Sequence, residues 1–524
     1  MAKRFGVMLD ASRNAVMKPE EVKKFATLLK KMGYNMLQLY TEDTYEIPEE
    51  PYFGYLRGRY TKEELKDIVS YCESIGMEVI PNIQTLAHLS QLFQWEEYQP
   101  INDTTDILLV GDERTYTLIE HMFKTLRDCF TSGYVHIGMD EAHMLGLGKY
   151  LDLHGARNRF EILREHLLRV IEIAEQYGFK PLIWSDMFFH LANKGQYYLT
   201  DPSVITDEVV AACPDGVDLV YWDYYSDKYE TYNAMLTAHK KFKGETWFAG
   251  GAWCWGNFVP DNRWSLRSME PAMKACADHG VDNIFITLWG DNGRDCSPYA
   301  TLPSLFAIRK FHEGVTDMDL IKAEFKTVTG EDFDTMMLLD MPEEIELAKR
   351  AFTKYMTYND PLLGYVDVLV KDGGAEAYGR IAEKLYAYET ESPRSYLIAH
   401  YAALADFLSV KYDLGARTRK AYKEGNRDAL RAILSDYDLA AEKLSILMDR
   451  FHTLWYTENK PHGFEVQEAR LGGLLYRLSA AKRRLSSYLD GKETSLPELE
   501  EELLPLPEKL IRHSWASIIS TSRA

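Results

Sequence analysis

FGVMLDASR (5–13), NMLQLYTED (35–43) and MEVIPNIQT (77–85) are three short apolar runs ending in polar residues, each separated from the next by a helical pattern. Pro19-Glu20-Glu21 opens the first helix, whose Val22, Phe25, Leu28, Leu29 and Met32 share one face, and Gly33 closes it. Thr61 with Glu64 forms a capping box ahead of Leu65, Ile68, Cys72 and Ile75, and Gly76 ends that helix. The alternation continues through YVHIGMDEAH (134–143), KPLIWSDMFF (180–189), DLVYWDYYS (218–226), TWFAGGAWCW (246–255) and NIFITLWGDNG (283–293). Continuous apolar runs of this kind mark parallel strands buried on both faces. Eight strand–helix units, with no Gly-rich phosphate fingerprint after the first strand, favour a closed (β/α)8 TIM barrel over an open doubly wound sheet. Asn158–Gly178 carries the strongest helical pattern, whereas 190–217 has no clean helix and reads as an inserted loop.

Beyond residue 318 the strand-like runs stop. Helical periodicities at 375–388, 395–411, 428–455 and 464–489 follow one another. The expected architecture is α/β: a barrel over 1–317 followed by an all-α domain over 318–524. Leu, Tyr and Ala stripes in the second part fit a homodimer contact and ordinary helix-on-helix packing equally well.

Composition narrows the function classes. A hydrophobic share of 46% with 27% charged residues belongs to a globular chain with a large core. No apolar run is long enough to span a bilayer, and the formal net charge of −20 disfavours nucleic acid and anionic membranes. A small neutral substrate suits that charge better. The start, Met1-Ala2-Lys3-Arg4-Phe5-Gly6, runs straight into the first strand with no signal-peptide h-region. The six cysteines show no CxxC and no regular spacing, as expected of reduced thiols in a cytoplasmic protein. No His/Cys/carboxylate cluster has metal spacing, so neither a metal nor a cofactor is expected.

In such a barrel the chemistry sits where the strands end. Those ends supply Asp10 and Arg13, Glu42 and Asp43, Gln84 and His88, then His136, Asp140, Glu141 and His143. The later ends supply Trp184 and Asp186, Trp222 and Tyr224, Trp253 and Trp255, Trp289 and Asp291. Four successive strands thus carry a Trp followed two positions later by a polar or aromatic residue on the same face. Aromatic walls with polar tips suit a sugar ring. The adjacent carboxylates Asp140 and Glu141 can enter one site only if the backbone turns between them. Their repulsion in an apolar cleft would divide them into an acid and an anion. Asp186 is as easily part of the site as paired to a neighbouring cation.

His136-Ile137-Gly138-Met139-Asp140-Glu141 resembles the His-x-Gly-x-Asp-Glu signature of glycoside hydrolase family 20, the β-N-acetylhexosaminidases. Leu9-Asp10-Ala11-Ser12-Arg13 resembles that family's first-strand Asp-x-x-Arg, and Thr41-Glu42-Asp43 its acidic second-strand end. His88 falls where the family keeps a histidine after strand three. Trp184, and Trp289 with Asp291, resemble its Trp at strand five and Trp-x-Glu at strand eight. The resemblance implies an exo-acting, retaining enzyme in which the sugar's 2-acetamido oxygen is the nucleophile and an oxazolinium intermediate forms. It implies that Glu141 is the acid/base, that Asp140 holds the acetamido N–H, and that Arg13 binds the 3- and 4-hydroxyls. Trp184, Trp253 and Trp289 would wall the sugar, Asp291 would take the distal hydroxyls, and His88 and His136 would orient the carboxylates. The acetamido-binding tyrosine stays open between Tyr221 and Tyr224, because the Tyr-x-Asp motif falls here on strand six, not seven. Asp replaces the usual Glu at 291, and the accessory α/β domain that commonly precedes the barrel has no counterpart, which points to a divergent branch. Preference for GlcNAc or GalNAc stays open. Two rival readings remain: a glycosidase pairing Glu141 with Asp186 or Asp291 on another sugar, and a sugar-binding barrel without chemistry.

Overall fold

The structure is a computed structural model, and it describes residues 2–342, 351–506, 515–520 and 522. The eight runs form a closed barrel of eight parallel strands. They are β1 (Arg4–Asp10), β2 (Met36–Thr41), β3 (Glu78–Ile83), β4 (Tyr134–His136), β5 (Lys180–Trp184), β6 (Asp218–Trp222), β7 (Thr246–Gly251) and β8 (Asn283–Leu288). Neighbours in sequence are neighbours in the sheet, and β1 closes the ring against β8, with Leu9 level with Leu288. The closed barrel that the resemblance implied is the one observed.

Every strand ends earlier than the apolar runs imply. β4 shows why: it stops at His136, and Gly138, Met139 and Glu141 then adopt φ of 71°, 68° and 51°. A left-handed residue cannot continue a strand, so the chain breaks into a turn where the two carboxylates lie. The helices follow their local signals. Pro19 opens helix Pro19–Lys31, the Thr61–Glu64 capping box is formed in full, and the Asn158 side chain caps the Phe160 amide of helix Arg159–Gln176. The segment after β5 is broken into Asp186–Ala192, a 3₁₀ turn at Pro202–Val204 and Asp207–Ala212.

The chain divides into two compact units. The first comprises Met1–Trp253, Trp264–Trp289 and Ser304–Ile321; the second comprises Cys254–Arg263, Gly290–Pro303 and Lys322–Ala524. The second unit is mostly helical, with long helices Gly374–Tyr388, Ser395–Lys411, Arg427–Glu458 and Phe464–Leu489. Ser395–Lys411 is buried on nearly every side (Leu397, Ile398, Tyr401, Leu404, Phe407, Leu408), the behaviour of a helix apolar all round. Inside this unit Lys354 and Asp295 form a wholly buried ion pair, and Gln467 Nε2 donates to Asp295 Oδ1 at 2.7 Å. Among the described residues no helix is long and apolar enough to cross a membrane.

Candidate active site

The left-handed turn after β4 places Asp140 and Glu141 at the tip of the strand. A Cβ on Gly138 would lie 2.1 Å from Gln84 Oε1, so glycine is required by space as well as by φ. That close approach lets Gln84 organise the turn. Its Oε1 accepts the Met139 amide (3.1 Å), while its Nε2 donates to Asp140 Oδ1 (2.8 Å) and to the Tyr40 hydroxyl (3.0 Å).

Asp140 is then held from its other side by His88, whose Nε2 lies 3.3 Å from Oδ2 and 3.7 Å from Glu141 Oε2. Burial pushes the Asp140 pKa up, but the His88 charge and contact and the Gln84 bond outweigh it and hold Asp140 below the usual carboxylate range. Burial also opposes the charge on His88, yet Asp140 raises its pKa to about 10. The pair is therefore imidazolium and carboxylate at neutral pH. Glu141 differs: half of its side chain is exposed, against 12% for Asp140. One carboxylate is thus fixed and ionised, and its neighbour reaches toward solvent.

A polar network continues around the barrel mouth. Tyr40 donates to Glu42 Oε1 (3.2 Å), and Arg13 donates to the same oxygen through Nε (3.1 Å). Burial lifts the Glu42 pKa to about 7, with Arg13 and His88 opposing the rise. Arg13, just beyond the end of β1, is thereby held in a fixed orientation.

The structure decides the place of Asp186. Among the described residues no cation pairs with it; its Oδ2 accepts the Glu141 backbone N–H at 3.0 Å, and the side chain is fully buried. Burial first, and then the charge of Asp140, raise its pKa to about 8, so it is a neutral acid at pH 7.

Aromatic rings gather beside the carboxylates. Trp289 lies 6.0 Å from Trp184 and 4.8 Å, edge-on, from Tyr40, and its Nε1 donates to the Tyr224 hydroxyl at 3.2 Å. Tyr224 stacks on Trp222 and meets Trp253 at 6.0 Å. Trp184, Tyr224, Trp253 and Trp289 thus form one cluster in the barrel unit.

Two expected site residues lie elsewhere. Tyr221 is fully buried against His239 and Tyr232 of helix Tyr229–His239, and its hydroxyl donates to Asp223. Strand alternation turns it to the helix side of the sheet, so Tyr224 is the tyrosine beside the tryptophans. His136 touches neither carboxylate. It is buried with its ring 4.3 Å from Trp184, and its Nδ1 accepts the Gly138 N–H. Burial lowers its pKa to about 3, so it stays neutral and braces the start of the turn. Asp291 and Trp255 fall in the second unit, on the segments Gly290–Pro303 and Cys254–Arg263.

Gln84 and Asp186 emerge from the structure as members of the site, and Tyr40 was not anticipated. The signal for Tyr40 was its place two residues before Glu42, on the same face of β2.

Comparison with known proteins matches this geometry. Residues 4–222 match the family model described as "Glycosyl hydrolase family 20, catalytic domain", and residues 331–513 match "Glycoside Hydrolase 20C C-terminal domain". A beta-hexosaminidase of Akkermansia muciniphila is 27% identical over 167 residues, covering 26% of this chain and 34% of that protein. Hexosaminidase D of Bos taurus is 24% identical over 235 residues, covering 42% of this chain and 63% of its own. The match spans little more than a third of the length of several of these curated relatives. The crystal structure of a Flavobacterium johnsoniae chitobiase shares the fold at a TM-score of 0.50 and 16% identity, covering 95% of this chain and 74% of that one. With one family's catalytic and C-terminal models both matched, and its signature carboxylates at the strand tip, the chain belongs to glycoside hydrolase family 20.

Proposed function

We propose that the chain is an exo-acting, retaining β-N-acetylhexosaminidase that removes a terminal non-reducing N-acetylhexosamine, GlcNAc or GalNAc, by substrate-assisted catalysis. The observation that carries this reading is the unequal pair at the β4 turn: Asp140 ionised and clamped by His88 and Gln84, Glu141 adjacent and half exposed. A fixed anion suits the acetamido N–H, because it orients the amide and balances the positive charge that develops on it. The amide oxygen then bonds to the anomeric carbon as the glycosidic bond breaks. Glu141 gives its proton to the leaving oxygen and afterwards takes one from the water that reopens the ring on the opposite face. Two displacements return the original configuration. Arg13, oriented by Glu42, would bind the 3- and 4-hydroxyls; Trp184, Trp253 and Trp289 would wall the sugar, with Tyr224 at the acetamido carbonyl. A neutral sugar also agrees with the net charge of −20.

The rival in which Asp186 is an enzymic nucleophile is disfavoured, since that carboxyl is buried, neutral at pH 7 and bonded to the Glu141 amide. The test is inhibition by a thiazoline mimic of the cyclised intermediate, together with Glu141→Gln. The proposal expects competitive inhibition and a loss of about 10²–10⁴-fold in the variant. Turnover of an aryl N-acetylglucosaminide unaffected by saturating mimic would overturn it.

A further inference from the structure

Asp186 lies outside the roles that the family resemblance implies, and its surroundings are unusually fixed. It directly follows Ser185, whose backbone N–H donates to Val220 O at 3.0 Å. The Ser185 hydroxyl sits between the Tyr197 hydroxyl (2.9 Å) and His239 Nε2 (2.8 Å). His239 Nδ1 is 2.7 Å from Met235 O, so that nitrogen carries the proton and Nε2 accepts from Ser185. Burial lowers the His239 pKa to about 4, which keeps that tautomer neutral. The directions then run one way: Trp222 N–H to Tyr197, Tyr197 to Ser185, Ser185 to His239, His239 to the Met235 carbonyl. Every donor in this chain is used once, so the end of β5 has no second arrangement of equal quality.

The outcome of this rigidity reaches Glu141. Its backbone holds φ 51°, a strained conformation for a residue with a long side chain. The Asp186 Oδ2 bond to its amide ties that strained residue to the segment directly after β5. Asp186 Oδ1 has no hydrogen-bond partner among the described residues, so the bond that this buried carboxyl extends to another residue goes to Glu141.

We infer that Asp186 is a positioning residue for the acid/base: through the Glu141 amide it holds that residue in the left-handed turn that presents its carboxyl to the leaving group. The inference rests on Glu141 being the acid/base. Because Asp186 is already neutral at pH 7, asparagine reproduces both its charge and its acceptor oxygen, whereas alanine removes the anchor.

The experiment compares Asp186→Asn, Asp186→Ala and Glu141→Gln on two N-acetyl-β-glucosaminides, one with a 2,4-dinitrophenyl leaving group that departs without help and one with a methyl leaving group that needs protonation. Circular dichroism melting checks that each variant folds. If Asp186 positions the acid, Asp186→Ala loses roughly tenfold more kcat on the methyl glycoside than on the dinitrophenyl one, and Asp186→Asn stays near wild type on both. Equal losses on the two substrates for Asp186→Ala would overturn the inference, as would an Asp186→Asn variant that folds and is as impaired as alanine. Should the alanine variant fail to fold, the asparagine arm decides alone. If Glu141→Gln itself shows no leaving-group dependence, the acid/base reading falls and the inference falls with it, a result distinct from failure at Asp186 only.

Discussion

Replacing Gln84 by Met separates the polar work of this residue from its volume. The two side chains are nearly isosteric, so the substitution opens little cavity. What it removes is specific. The buried Met139 N–H loses its acceptor, at a cost of about 1–3 kcal/mol, and ionised Asp140 loses a charge-assisted bond worth about 1.5–3 kcal/mol. Neighbouring effects within one network do not add fully, so Gln84→Met is expected to destabilise the fold by about 2–4 kcal/mol. Denaturant unfolding measures this directly. The pH dependence has a definite sign. The folded pKa of Asp140 is depressed, so its contribution is present above the unfolded carboxylate value near 4 and is lost as pH falls through the folded value. In Gln84→Met the folded value rises toward the unfolded one, so this contribution is smaller and its loss is complete at higher pH. Because Asp140 is no longer held from both sides, kcat/KM on 4-nitrophenyl N-acetyl-β-glucosaminide should fall by about 10–10²-fold. A variant with an unchanged unfolding midpoint and kcat/KM within about twofold of wild type would refute the assignment of Gln84 as organiser of the turn.

Other consequences are as specific. The His88 pKa is raised to about 10, so its stabilisation is full below the ordinary histidine value near 6.5 and disappears only as pH rises through 10. Ring-nitrogen NMR should therefore show His88 as imidazolium, without titration from pH 6 to 8, and His136 as neutral over the same range; a His88 midpoint near 6.5 would contradict the ion pair. In the helical unit, Lys354→Met removes the buried cation bonded to Asp295 and leaves Arg470 Nη1, 3.7 Å from Asp295 Oδ1, and unfolding should become easier by about 3–5 kcal/mol. A change below about 1 kcal/mol would mean that Gln467 and Arg470 together satisfy Asp295.

The barrel was legible in the sequence because its strands are apolar runs of the right length and its helices carry their own stop and start signals, from the Thr61 capping box to Gly33 and Gly76. Strand ends were less so. An apolar or aromatic residue such as Met139 reads as strand, yet it adopts φ 68° because Gln84 binds its amide from another strand, a long-range fact with no local trace. The adjacent carboxylates Asp140 and Glu141 were legible as a signature, and the need for a turn between them followed from strand geometry. Tyr221 was ambiguous because motif matching ignores which face of the sheet a position occupies. His136 reads as a polar group near carboxylates, but burial against Trp184 takes it out of reach. Asp186 could not be assigned from sequence, since its partner is a backbone amide and not a side chain.

The central claim is that the substrate's own acetamido group supplies the nucleophile while Asp140 and Glu141 assist it. The most direct measurement compares kcat/KM for 4-nitrophenyl N-acetyl-β-glucosaminide with that for 4-nitrophenyl β-glucoside, which differs by having a hydroxyl in place of that group. The account predicts ready cleavage of the first and a loss of at least about 10³-fold on the second. Comparable rates on the two would contradict it and would require an enzymic nucleophile in place of the acetamido oxygen.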